Sequence, residues 1–334
     1  MKRRDFLGVA GTATSLSLLA SSCGHRQRQW PLRIGINDWI GYQIILAAQP
    51  LGLLKKRNLQ VDFIYFNNLQ DATRALYRGG LDACFTTLWD LLQQCRENEQ
   101  LRPVVLWVTN ISAGSDGIVA RPPFSSLLAL KGKRMAAKLG TVNQLILLEA
   151  LERVGLHPQD LQVLNLSNEI AVNYLRADKI DGAVLWQPLL GELATEIGGK
   201  VVHDTSQIQS LVIDVLATSP YILKTRSEDL QKLLWVWLDI LEKIQHNPQQ
   251  VFSALEGILE RPATNIYSDY QGVTPGTLSF NLHLFSQPRP LISEITKIII
   301  LAQKDPNHPK ALNNRIEVDT AFTLTSLKLW QTRP

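Results

Sequence analysis

Short apolar runs alternate along this chain with longer segments whose apolar residues recur at helical spacing. Leu32-Arg33-Ile34-Gly35-Ile36 alternates as a half-buried strand does, then enters the Gly-containing turn Asp38-Trp39-Ile40-Gly41-Tyr42 and a helix carrying Ile44, Ile45, Ala47 and Ala48. The spacing predicts strands over 61–65, 81–86 and 104–108, with helices over 69–77 and 88–95 between them. Strands separated by helices need crossover connections, which implies a parallel sheet.

The same pattern then starts again. Residues 133–137 and 161–165 read as strands, and 143–154 and 170–175 as helices. The run Ile180-Asp181-Gly182-Ala183-Val184-Leu185 matches Leu81-Asp82-Ala83-Cys84-Phe85-Thr86 in composition and in its place within the unit. Two similar α/β halves are the economical reading. From Glu228 onward the pattern is helical, over 230–244, 248–259 and 292–302, with Trp235 and Trp237 expected in the core.

The N-terminus has a different character. Lys2-Arg3-Arg4-Asp5-Phe6-Leu7 precedes an apolar run that ends in Leu18-Leu19-Ala20-Ser21-Ser22-Cys23, the layout of an export signal of lipoprotein type. Residues 6–20 are shorter than the ~20 apolar residues needed to cross a bilayer core. Residues 1–22 are therefore expected to be removed, with lipid on Cys23 and 23–32 as a linker. The paired arginines resemble the address of the twin-arginine export route. Localisation is expected to be periplasmic or extracytoplasmic, tethered to the membrane.

Charge and cysteine content narrow the picture further. The chain has 34 basic and 30 acidic side chains, and loss of the leader leaves a formal charge of +2, so nucleic acid is not an expected partner. No later segment offers 18 consecutive apolar residues; 291–301 is broken by Ser293, Glu294, Thr296 and Lys297. Cys84 and Cys95 fall in apolar surroundings and read as small buried hydrophobes, with a disulfide as the alternative that an exported chain allows.

In open α/β sheets ligands gather where strand C-termini meet helix N-termini, because free amide N–H groups and the helix dipole point there. Four segments reach such positions. In the first, Gly41 permits close approach of the backbone, and Trp39 and Tyr42 either wall a ligand or plug the core. The second, Phe85-Thr86-Thr87-Leu88, places two hydroxyls before a helix, one of which a helix cap alone would explain. The third is the polar loop 110–117, with Ser112, Gly114 and Asp116, and the fourth is the turn Lys138-Leu139-Gly140-Thr141-Val142-Asn143, whose amides and hydroxyl suit an anionic group. It lacks the Gly-Lys-Ser/Thr run of a nucleotide loop. Trp186 follows a strand, and Asp214 sits in the apolar run 211–217, where an acid requires a cation, a donor or a ligand amine as partner.

Catalytic signals are sparse. The six histidines stand apart, with no His-Glu-x-x-His spacing, no Cys pair at metal-ligand spacing and no Gly-x-Ser-x-Gly elbow. No enzyme activity, cofactor or metal is expected.

The order of motifs carries a resemblance. Trp39-x-Gly41-Tyr42, then Gly52-Leu53-Leu54, Ala75-Leu76-x-x-Gly79-x-Leu81-Asp82-Ala83, Ser112-x-Gly114-x-Asp116, Leu130-Lys131-Gly132-Lys133-Arg134, Ala150-Leu151-x-x-x-Gly155-Leu156 and Asp181-Gly182-Ala183 with Trp186-x-Pro188 resemble the solute-binding proteins of ABC importers, in the nitrate, sulfonate and taurine group. The resemblance implies a two-lobed periplasmic-binding-protein fold (type II-like), each lobe a mostly parallel sheet flanked by helices. It implies one lobe from 33–120 plus 219–334 and another from 121–218. It also implies a monomer that closes on a small organic solute and hands it to a membrane permease.

By that resemblance the ligand-binding residues would be Trp39, Gly41, Tyr42, Thr86, Thr87, Ser112, Asp116, Thr141, Asn143, Trp186 and Asp214. Aromatics beside Asp116 and Asp214 suit an amine, a zwitterion such as taurine or a flat heterocycle, and the turn at Thr141 suits a sulfonate or carboxylate. A related branch builds the thiamine pyrimidine using iron near a run of cysteines; only Cys84-Phe85 occupies the comparable strand end here. An enzyme or pyrimidine-binding protein on this fold, or a sensor subunit, is the alternative.

Overall fold

The computed structural model describes residues 30–208, 210–286, 289–304 and 315–332. The expected leader, Cys23 and the linker up to residue 29 lie outside the described residues. Among the described residues the strands form a seven-stranded and a five-stranded sheet.

The larger sheet begins with β1 (Leu32–Ile36), which pairs in parallel with β2 (Val61–Tyr65) and β3 (Ala83–Thr87). The helix Leu69–Tyr77 makes the crossover between β2 and β3. It starts where the Asn68 side chain accepts from the Asp71 amide at 2.9 Å, and its apolar face buries Leu69, Ala72 and Leu76. The crossover helix after β3, Leu88–Glu97, is capped in the same way by Thr87. It leads to β4 (Val104–Ser112), every residue of which is buried.

The smaller sheet holds β5 (Asp116–Ala120), β6 (Arg134–Ala136), β7 (Gln162–Leu164), β8 (Gly182–Trp186) and β9 (Lys200–Asp204), in the order β7-β6-β8-β5-β9. The chain then returns through β10 (Ile213–Thr218), which slots between β3 and β4 and runs antiparallel to both. Short strands β11 (Val273–Pro275) and β12 (Glu317–Val318) add to β4, and helices fill the rest of the tail.

Both sheets are flanked by helices as expected, yet each is mixed rather than mostly parallel. The strands beside the crossings, β5 and β10, run against their neighbours. The expected polar loop 110–117 is largely strand, its two ends belonging to β4 and β5. The chain changes sheet between Ser112 and Asp116 and again between Asp204 and Ile213, so β5 pairs in the smaller sheet and β10 in the larger.

The repeat seen in sequence has a structural counterpart. Asp82, just before β3, accepts from the Arg33 amide at 2.9 Å and from its guanidinium Nη2 at 2.8 Å. Asp181, just before β8, accepts from the Arg134 amide at 2.9 Å and from its Nε at 3.2 Å. Each aspartate thus closes the start of a parallel strand pair, β1 with β3 and β6 with β8. Cys84 and Cys95 are both buried and unpaired. Among the described residues no helix is long and apolar enough to cross a membrane.

Candidate functional site

β1 is followed by Asn37, whose side-chain oxygen accepts from the Trp39 amide at 3.2 Å and turns the chain into the short helix Ile40–Gln43. That turn sets Trp39 and Tyr42 three residues apart on one side of the helix. Tyr42 is then fixed by an aromatic column: its ring lies 5.3 Å from Phe85, which lies 5.5 Å from Trp237. Gly41 is required by packing, since a Cβ there would stand 2.4 Å from Trp39 Nε1 and 2.8 Å from Asn110 Oδ1.

Across the larger sheet, Asp214 on β10 stands in register with Thr87 on β3 and Asn110 on β4. In the smaller sheet, Asp116 on β5 stands in register with Trp186 on β8. The two rows border one cavity of about 10 Å³ lined by Asn37, Trp39, Tyr42, Leu69, Thr87, Asp116, Val142, Trp186, Val212 and Asp214. That is room for roughly one water molecule. Trp186 Nε1 also donates to Asp38 at 3.1 Å, which joins the two sheets.

Six of the residues expected from sequence therefore line one space: Trp39, Tyr42, Thr87, Asp116, Trp186 and Asp214. The others are buried beside it and engaged mainly with residues outside it, although the Ser112 hydroxyl also acts on Asp116. Gly41 makes room for Trp39. Thr86 faces Thr73, with 3.4 Å between their hydroxyls. Ser112 Oγ lies 2.7 Å from Thr205 Oγ1, and Thr141 Oγ1 donates to the Lys138 carbonyl at 2.7 Å. Asn143 donates to Asn168 Oδ1 at 2.8 Å and to the Val184 carbonyl at 3.0 Å. Asn37, Leu69, Val142 and Val212 were not foreseen. Asn37 could have been found as the polar residue at a strand end and Val142 as the first residue after the Thr141 cap; Leu69 and Val212 carry no signal beyond being apolar.

The electrostatics of the cavity are those of acids without bases. Asp214 accepts from Tyr42 Oη at 2.5 Å and from Trp39 Nε1 at 3.1 Å. Burial nevertheless holds its carboxyl well above the usual carboxylate range; the Tyr42 and Trp39 donors oppose that shift, and Asp116 and Asp90 add to it. Asp116 is pushed up to about 7 by burial, with the Ser112 hydroxyl pulling the other way. Behind the cavity wall, Thr87 Oγ1 donates to Asp90 Oδ2 at 2.5 Å. Asp90 is fully buried, its Oδ1 has no hydrogen-bond partner, and burial raises it to about 7. Sequence reasoning missed Asp90 because an acid in the first turn of a helix ordinarily needs no explanation beyond the helix dipole.

The model of the family described as NMT1/THI5 like matches residues 39–251, which include every residue lining the cavity except Asn37. The chain belongs to the NMT1/THI5-like family. Among relatives of this NMT1/THI5-like chain, a binding protein of Brucella abortus (strain 2308) is 29% identical over 212 residues. The match spans 60% of either protein, so the chain covers under two thirds of that relative's length. The taurine-binding periplasmic protein of Escherichia coli (strain K12) is 24% identical over 277 residues, 79% of this chain and 84% of the relative.

Among solved structures, the periplasmic aliphatic sulphonate binding protein SsuA from Escherichia coli superposes with a TM-score of 0.65 at 18% identity, covering 86% of this chain and 96% of that one. That likeness shows the periplasmic binding protein fold. The desulfurization enzyme DSZB shares the fold at a TM-score of 0.63 and 15% identity, so the fold by itself does not divide binding from catalysis.

Proposed function

We propose that this NMT1/THI5-like chain is an extracytoplasmic solute-binding lipoprotein of an ABC importer, one that captures a small organic solute, sulfonate- or taurine-like or otherwise amine-bearing, and presents it to a membrane permease. The observation that carries the reading is the cavity bordered by side chains from both sheets, with Trp39, Tyr42 and Asp214 on one side and Asp116 and Trp186 on the other. A solute that touches both rows binds the closed arrangement better than an open one and shifts the population toward closure, which a permease can sense. The lobes that move would be the two sheets with their helices, hinged at the segments joining β4 to β5 and β9 to β10. The protein would act as a monomer, held at the membrane by lipid on Cys23.

Mass spectrometry of small molecules released from natively purified protein tests this reading, combined with solution scattering before and after the recovered solute is added back. A tightly binding solute should reduce the radius of gyration. A solute that binds tightly and leaves the radius unchanged would sink the closure mechanism, and intact-mass data showing Cys23 unmodified in a lipoprotein-processing host would sink the anchor. The likeness to DSZB supports a second reading, an enzyme on this fold. Chemical conversion of the recovered solute by the protein would favour it.

A further inference from the structure

Among the described residues lining the cavity none is Lys, Arg or His, although Asp116 and Asp214 face it from different sheets with only 3% and 2% of their surface exposed. A third carboxylate, Asp90, sits one hydrogen bond behind Thr87 with one oxygen unpartnered. Two ionised carboxylates in so small and dry a space, with a third close by, repel strongly and lose their hydration. The Tyr42 and Trp39 donors compensate Asp214 only in part.

The groups packed around the two acids supply no counter-charge either. Next to Asp214, β4 carries no ionisable side chain, β3 carries only the buried Cys84 thiol, and the remaining titratable neighbours are Tyr42 and Asp90. Next to Asp116, β8 carries none. On β9, His203 is engaged with Glu149 at 3.0 Å, Asp204 caps Ser206, and Lys200 is exposed beside Ala120 at the far end of β5. Glu192, on the helix Leu189–Glu196 that packs on β5, pairs with Arg261 at 3.2 Å, and on the helix Val142–Arg153, which also packs on β5, Arg153 pairs with Glu149 and Glu152 with Lys304. Asp38 is held by Trp186.

We propose that the solute enters this cleft as a nitrogen cation, an ammonium or amidinium, which displaces one proton held by the Asp116 and Asp214 carboxyls in the closed, solute-free form. The inference rests on the receptor reading above and names the group that the receptor recognises. Charge balances in the exchange: the cation arrives with its positive charge, a carboxylic O–H proton leaves to solvent, and the closed cleft keeps its net charge. Among the described residues no set of three or more His, Cys, Asp or Glu side chains is arranged to hold a metal ion, which favours an organic cation as the occupant. An acid group on the solute is not required by these two residues, so a sulfonate without an amine should be rejected.

The test compares methylammonium with methanesulfonate on the full-length protein, by thermal shift at matched ionic strength across the acid-to-neutral range. Methylammonium should stabilise the protein, its apparent affinity rising about tenfold per pH unit until the carboxyls are ionised and levelling thereafter, as one proton displaced per cation requires. Asp116→Asn should weaken the affinity by at least about tenfold and flatten its pH dependence. Calorimetry of the wild-type protein in buffers of different ionisation heat gives a second reading that does not depend on how the variant folds, since it counts the protons released. Stabilisation by methanesulfonate but not by methylammonium, no stabilisation by methylammonium, or binding without proton release would each overturn the proposal. A native solute lacking a basic nitrogen would overturn it and leave the receptor reading intact, whereas the absence of any solute-driven compaction would remove the receptor reading itself.

Discussion

Trp186 at the end of β8 donates its indole N–H to the Asp38 carboxylate over 3.1 Å, and so ties a strand of the smaller sheet to the loop that follows β1 of the larger. The same indole walls the cavity beside Asp116. One side chain therefore joins the sheets and shapes the site. Trp186→Phe keeps an aromatic wall and removes the bond. A hydrogen bond to a charged group contributes about 1.5–3 kcal/mol. Solution scattering should show a larger mean radius of gyration for solute-free Trp186→Phe than for the wild type; equal radii would mean that the contact does not favour closure.

Tyr42→Phe removes the 2.5 Å donor to Asp214 while leaving the ring against Phe85. The carboxylate then keeps Trp39 as its donor within the cavity, so its proton affinity should rise further. At neutral pH we expect a loss of about 1–3 kcal/mol in unfolding free energy, the penalty for a buried acceptor losing its partner. The loss should be larger where Asp214 is ionised than where it is protonated, since the Tyr42 donor favours the charged form. Chemical denaturation at two pH values checks both parts, and an equal loss at each would argue against the charged form of Asp214 as the species Tyr42 stabilises.

Asp90 and Asp116 both have carboxyls raised by burial to about 7 in the folded protein. The folded state therefore holds more protons than the unfolded one at pH values between the ordinary carboxylate range and neutrality. Stability from these groups is greatest below that ordinary range and is lost as pH rises through about 7. Each group contributes a slope of at most about 1.4 kcal/mol per pH unit. Denaturation of the solute-free protein between about pH 5 and about pH 8 should show declining stability, with a shallower decline in Asp90→Asn. Asp181, whose carboxyl is lowered below the ordinary range with Arg134 as the stabilising partner, acts in the opposite sense and only in stronger acid.

Asp82→Ala and Asp181→Ala should behave alike and differ from the cleft variants. Each removes a largely buried carboxylate that holds both an amide and a guanidinium at a strand start. About 1–3 kcal/mol of stability should be lost in each, with affinity of the folded fraction unchanged. Titration calorimetry alongside thermal melts separates the two quantities; a large loss of affinity in either variant would contradict this placement.

Much of this arrangement was legible in the sequence because it depends on local spacing. The repeated Asp-Ala and Asp-Gly strand starts marked Asp82 and Asp181 correctly as equivalents, and an acid in an apolar run marked Asp214. Reading both Thr86 and Thr87 into the site conflicts with the two-residue period of a strand, which sends neighbouring side chains to opposite faces. Thr87 turns to Asp90 and the cavity, and Thr86 to Thr73. Strand direction leaves no trace in alternation, so the antiparallel entry of β10 between β3 and β4 was not readable. Nor was the isolation of Asp90, since burial of a first-turn acid depends on what the rest of the chain packs over it.

The two Arg–Asp pairs lie at the starts of their strands, whereas Asn37, Trp39, Thr87 and Trp186 lie at or just beyond the ends of those same strands or their partners. At ~3.3 Å per residue, a five-residue strand separates its two ends by roughly 13 Å. Fastening and the proposed recognition site therefore occupy opposite rims of each sheet. Under the receptor reading, substitutions on the site's rim would exchange one solute for another without loosening the rim that keeps the strands in register. On that reading the cleft rim is the target for redesigning specificity, and the Arg–Asp rim is the one to leave intact.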